Sequence, residues 1–151
     1  MRDPDEVERL FEAAMKEADS GDGLAAMRRL YARGESDGPE AVADLLHPEF
    51  ELRIETGPLG GRSYRGVQGL KRLRRDSEEQ WASDHFEPQG LRSTPDGRLV
   101  VLGRLRITEK EGGTELDLPQ AHVCELRDGK FARVTADGDI GRALDAAGLS
   151  S

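Results

Sequence analysis

The stretch from Leu99 to Lys130 constrains the fold most. It holds two long runs of alternating character that lead into the tight turn Leu126-Arg127-Asp128-Gly129-Lys130, and both runs read as β-strands. The second run, Glu115 to Leu126, carries one imidazole, His122, in a row otherwise set by apolar and small residues. A strand period of two places His122, Cys124 and Leu126 on one face, where a lone titratable group is surrounded by hydrocarbon. If that face walls a pocket, His122 is the first candidate for a functional group.

The preceding half of the chain reads as helices. Asp3-Pro4-Asp5-Glu6 sets carboxylates beside the partial positive end of a helix, and Val7, Leu10, Phe11, Ala14 and Ala18 recur at helical spacing, predicting an amphipathic helix over about residues 5–18. Ser20-Gly21-Asp22-Gly23 breaks it. Leu24, Met27, Leu30 and Tyr31 then form a second apolar stripe that runs out near Gly34, and a short helix from Pro39 stops at His47-Pro48. Phe50, Leu52 and Ile54 alternate with charged residues, as in a half-buried strand. After the loop Gly57–Gly61, Tyr64-Arg65-Gly66 leads into a helix over roughly 67–81, and strands are expected over about 84–93, 98–109, 115–126 and 130–136. Asp139 to Ala147 closes the chain as a short helix. Helices followed by strands predict an α+β domain with helices on an antiparallel sheet.

Composition narrows the partners. A net charge of −8 disfavours nucleic acid or an anionic membrane as the main partner, because phosphate binding needs a basic excess. The single cysteine, Cys124, cannot form an internal disulfide, and its strand position predicts a buried, inert thiol. Met1 to Glu6 are followed by no apolar stretch long enough for a signal peptide or a membrane span, which predicts a cytoplasmic protein. His47, His85 and His122 show no metal-ligand spacing, and the glycines form turns rather than a phosphate loop, so no metal and no obligatory cofactor is expected.

Taken in order, Asp44-Leu45-Leu46-His47-Pro48-Glu49-Phe50-Glu51, Tyr64-Arg65-Gly66 opening a helix, and His122-Val123 running to Asp128-Gly129-Lys130 resemble the SnoaL-like, polyketide cyclase-like branch of the nuclear transport factor two-like superfamily. The ending Ala143 to Leu149 is similar to that branch as well. The resemblance covers about residues 24–149, which divides the chain into an additional N-terminal helix, 1–20, and a SnoaL-like domain, 21–151. It implies a cystatin-like cone, in which a curved antiparallel or mixed sheet wraps around helices and leaves a mostly apolar cavity, commonly in a homodimer formed through the sheet. The implied partner is a small hydrophobic molecule. The resemblance spans cyclases, isomerases, dehydratases and proteins without known activity, so it selects no reaction.

Carrying ketosteroid isomerase-like roles onto this chain mostly subtracts. The positions of the carboxylate base, the tyrosine donor and the protonated aspartic acid fall on Ile54, Leu30 and His122. The missing base argues against steroid-type isomerisation. Tyr31 lies one residue from the tyrosine position, an offset of about 100° around a helix. The remaining candidate mechanism has His122 shuttling a proton, Arg104 holding a developing oxyanion from the strand face of Val100, Leu102 and Arg106, and Asp137 as a second carboxylate paired with Arg133 or His122. Against it stand a cavity-wall histidine bonded to a neighbour, and an arginine on the sheet's dimer face or edge. Tyr31, Ile54, Trp81, Cys124 and Leu30 are the expected pocket-lining residues. His47 is read as a cap for helix-end carbonyls, Asp139 as an N-cap, and His85 as a residue with no obvious partner. The competing function is a non-catalytic ligand-binding or dimerisation module.

Overall fold

The structure, a computed structural model, describes residues 3–149; Met1, Arg2, Ser150 and Ser151, the outermost residues of the expected units 1–20 and 21–151, lie outside the described residues. Helix α1 spans Pro4–Lys16, with Asp3 as N-cap accepting from the Asp5 amide and Pro4 in the first turn. Helix α2 spans Asp22–Asp37. It passes Gly34, where the apolar stripe ends, because Arg74 of the next long helix donates to the Gly34 and Glu35 carbonyls, at 3.5 and 2.7 Å. A 3₁₀ helix, Pro39–Leu45, leads into β1, Leu46–Ile54. The rest follows as β2 (Ser63–Arg65), α3 (Gly66–Gln80), β3 (Trp81–Ser93), β4 (Leu99–Glu109), β5 (Glu115–Arg127), β6 (Lys130–Asp137) and α4 (Ile140–Ala146).

The six strands form one mixed sheet in the order β2-β1-β6-β5-β4-β3, in which only the β1–β6 pair is parallel. Helix α3 touches both β1 and β3, which stand four places apart in that order. Only a strongly curled sheet can bring those two strands to one helix. The expected α+β cone, wrapped around the helices, is the fold observed.

Register assigns the two faces. Val101 opposes His122 and Leu99 opposes Cys124, so these four share the inner face, where Met27, Leu30 and Tyr31 of α2 pack. Val100 opposes Val123 and Leu102 opposes Ala121 on the outer face, where Phe11 and Ala14 of α1 meet Ile140, Ala143 and Leu144 of α4. The outer face, on which a homodimer contact was expected, is thus partly covered by the chain's own first and last helices. Among the described residues no helix is long and apolar enough to cross a membrane.

The connection from α1 to α2 passes from the outer face to the inner one around the edge strand β3. It is fastened there by an antiparallel bridge in which Asp19 and Leu91 exchange amide-to-carbonyl bonds of 2.8 and 3.0 Å. The bridge pairs part of an edge strand that would otherwise present free backbone groups. Gly90 makes the crossing possible. A Cβ there would lie 2.7 Å from the Ala18 Cβ and 2.8 Å from the Met15 Sδ.

Two local expectations are corrected and one strand is added. Trp81 belongs to β3 and not to the helix, because its extended backbone pairs with Glu109 of β4, a tertiary contact that overrides helical spacing. Tyr64-Arg65-Gly66 leads into α3 as expected, and Ser63–Arg65 forms in addition an edge strand paired with β1. His47 caps no helix carbonyl: it lies in β1, and its Nδ1 accepts from the Glu49 amide at 3.0 Å.

Replacing Gly90 with Ala forces α1 and its connection off β3. We expect Gly90→Ala to lower stability by ~1–3 kcal/mol in denaturant titration and to speed amide exchange in α1 relative to β5. Unchanged exchange in α1 would remove the packing argument for this glycine.

Candidate functional site

His122 sits in the middle of β5, 9% exposed, and its ring is stacked on that of Phe86 with centroids 4.0 Å apart. Tyr31 reaches it from α2, its hydroxyl 2.8 Å from Nδ1, while Gln120 Oε1 lies 2.8 Å from Nε2. The Gln120 carbonyl oxygen can only accept, so Nε2 carries the ring proton and donates it. Nδ1 is then the acceptor for the Tyr31 O–H. This chain leaves neither imidazole nitrogen unsatisfied while the ring is neutral. Burial favours that form: desolvation lowers the His122 pKa from 6.5 to about 3. The same enclosure raises Tyr31 well above its usual value and pushes the Cys124 thiol up to about 12. Cys124 donates weakly to the His122 carbonyl at 3.7 Å and is buried, as its strand position predicted.

The Phe86 ring can lie flat on the sheet because Gly103 has no side chain beneath it. A Cβ on Gly103 would stand 2.6 Å from Phe86 Cζ and 2.3 Å from the Glu87 carbonyl oxygen. A register shift between Pro88 and Gly90 bends β3 just beyond this point. The far side of Tyr31 and Phe86 opens into a groove of about 340 Å3 between α2 and β3, bordered by Arg28, Glu35, His85 and Glu87. Tyr31 and Phe86, tilted at 38° with centroids 5.4 Å apart, supply aromatic surface to this groove and separate it from His122. Among the described residues, no group of three His, Cys, Asp or Glu side chains could hold a metal ion.

The predicted residues divide between the two faces. Leu30 and Cys124 belong to the inner cluster with Tyr31, and Ile54 lies in one cross-strand row with Ala136 and His122. Tyr31, expected to line the pocket and offset by one residue from the family's tyrosine position, is the residue that reaches the imidazole. Arg104 does not join them. Its strand phase puts it on the outer face, where it pairs with Glu8 at 2.5 Å and covers the Phe11 ring at 4.9 Å. Asp137 is also on the outer side, in register with Ala121 and 3% exposed; its carboxylate accepts from Arg142 Nε and Nη2 at 2.8 and 2.9 Å, not from Arg133 or His122. That pair lines a separate outer cleft of about 350 Å3 beside α4. Trp81 pairs eight residues along β4 from the partner of His122, roughly 26 Å away at ~3.3 Å per residue, and does not line the groove.

Two partners were missed. Gln120 precedes His122 by two residues, so the period that grouped His122 with Cys124 already placed it on the same face. Phe86 carried no such signal, because it lies on another strand and its ring reaches His122 over Gly103. His85 has a partner after all, Glu35 of α2, whose two carboxylate oxygens both stand 2.9 Å from its Nδ1. Asp139 caps α4 as expected, accepting from the Arg142 amide at 3.1 Å.

Residues 27–134 match the family model of the SnoaL-like domain, more than two thirds of the chain. The chain belongs to the SnoaL-like family. Among solved structures, this SnoaL-like chain resembles TerC, co-crystallised with polyporic acid, at a TM-score of 0.64 and 24% identity over 82% of this chain and 95% of that one. An NTF2-like protein of unknown function from Burkholderia pseudomallei gives 0.64 and 20% over 82% and 95%. A protein assigned to the SnoaL-like polyketide cyclases of Jannaschia sp. CCS1 gives 0.61 and 15% over 85% and 92%. These likenesses establish the shared fold. No curated protein shows significant sequence similarity to the chain.

Two outcomes are expected from this geometry. Tyr31→Phe strips Nδ1 of its donor inside a closed site, and should cost ~1–3 kcal/mol in chemical denaturation. Because the folded His122 pKa lies below the unfolded one, the unfolded chain binds more protons between pH 6.5 and about 3. The contribution is therefore complete above pH 6.5, and stability declines by up to ~1.4 kcal/mol per unit as the pH falls through that window. His122→Gln should flatten this part of the stability–pH curve; an equally steep curve would assign the acid sensitivity to other groups.

Proposed function

We propose that this SnoaL-like protein binds a small, largely apolar molecule in the groove between α2 and β3, against the faces of Tyr31 and Phe86. The observation that carries the reading is the placement of His122: buried, with both nitrogens bonded and Phe86 stacked on it. An imidazole so placed holds the aromatic wall in position. It is poorly suited to exchanging protons with a substrate, which favours binding over the acid–base chemistry of cyclase, isomerase or dehydratase type. A volume of about 340 Å3 is near the lower end of small-ligand pockets, ~300–1,000 Å3, and suits a molecule of one or two rings. TerC, similar in fold, was co-crystallised with polyporic acid, which supports an organic ligand for this architecture.

The test is titration of the full chain with naphthalene-2-methanol, followed by backbone NMR. Saturable shifts at Ala32, Phe86 and Glu87, together with a tenfold or greater loss of affinity in Phe86→Ala and recovery of the alcohol unchanged, are expected. Shifts confined to the outer cleft at Val123, Thr135 and Ala143 would overturn the assignment. For the catalytic alternative, a substrate whose turnover disappears in His122→Gln while Tyr31→Phe retains binding would replace this reading.

A further inference from the structure

We infer that the groove between α2 and β3 selects an aromatic molecule bearing an anionic oxygen, with Arg28 as the residue that distinguishes it from a neutral one. The inference rests on the reading of this groove as a ligand site and adds the chemical class of the ligand.

The groove's own hydrogen bonds leave one group with donors to spare. Tyr31 gives its hydroxyl proton to His122, so the aromatic wall offers a ligand oxygen no free O–H. Of the charged groups at the rim, Glu35 is held by His85 at 2.9 Å and Glu87 by Arg106 at 2.6 Å. Both carboxylates that line the groove therefore already have hydrogen-bond partners. Arg28 has no carboxylate partner among the described residues; its one hydrogen bond runs from Nε to the Pro88 carbonyl oxygen, 2.9 Å away across the groove. That bond ties the guanidinium to β3 and limits its rotation, while both terminal nitrogens keep their N–H donors. A planar group so anchored is suited to a carboxylate or a phenolate-type oxygen, through charge-assisted bonds that a neutral hydroxyl cannot match.

The surrounding charge sharpens the assignment. The protein carries a net charge of −8, so its overall field repels anions. An aromatic anion that nonetheless binds better than its neutral counterpart needs a local cation beside an apolar surface. Arg28 next to Tyr31 and Phe86 meets both requirements, and the volume leaves room for two fused rings.

The decisive experiment compares 2-naphthoate with naphthalene-2-methanol by calorimetry on the full chain. The carboxylate should bind at least tenfold more tightly than the alcohol, with an advantage that shrinks as salt is added. In Arg28→Gln that preference should vanish, the two probes binding within twofold of each other, while saturable binding of the alcohol reports an intact groove. Arg28→Lys should recover part of the preference, and Arg29→Gln, an exposed neighbour outside the groove, should change neither affinity. Equal binding of the two probes to the unaltered protein, or a preference that survives in Arg28→Gln, would overturn the role of Arg28 while leaving the groove as a ligand site. Binding of neither probe would overturn the ligand-site reading itself, and this inference with it.

Discussion

A polar ring on the apolar face of a curled sheet must be neutral and fully bonded, and the inner face of this protein is arranged around that requirement. Tyr31 and Gln120 together occupy both nitrogens of His122. Remove either, and a buried polar atom is left without a partner, the situation that costs most in a low-dielectric interior. The constraint acts at a distance as well. It fixes where α2 lies along the sheet, because Tyr31 must reach β5, and Phe86 closes over the same ring only because Gly103 leaves space under it.

The position of α2 in turn creates the groove. Tyr31 is turned inward to the imidazole, and between α2 and β3 lies an opening lined by residues from both. Arg28 reaches across it to the Pro88 carbonyl, and Glu35 reaches across it to His85. These crossings are polar and partly exposed, so each contributes little to stability compared with the buried cluster beneath. Their effect is on shape and charge at the rim. Stability resides deeper, in the two apolar layers on either side of the sheet.

The outer layer follows a different logic. Phe11 and Ala14 of α1 and the apolar face of α4 cover Val100, Leu102, Ala121 and Val123, and the connection to α2 wraps the edge of β3. Arg104 serves this layer. Its guanidinium lies over Phe11 and pairs with Glu8, which keeps its charge solvated at the margin of an apolar contact. Asp137, similarly, holds Arg142 against the start of α4. Two residues that looked catalytic from their type and strand position thus work as fasteners for the helices on the outer face.

The sequence by itself determined most of the elements, the α+β class and the company of His122 along its own strand. Period-two alternation and turn residues depend on neighbours a few positions apart, and such local constraints are legible in one dimension. Cys124 on the face of His122 and the cap at Asp139 were read on that basis, and Gln120 stood in the same row. What the chain alone left undecided was which elements meet across the sheet. Strand phase put Arg104 with Val100 and Leu102, but nothing local says which face of β4 looks toward α2, and a shift of one residue reverses the answer. Tyr31 and His122 stand 91 positions apart, Phe86 reaches the imidazole over Gly103 from another strand, and Glu35 finds His85 across 50 residues. The curl of the sheet decided those meetings, because only in three dimensions does the edge strand β3 return to α2, the helix from which the site is built.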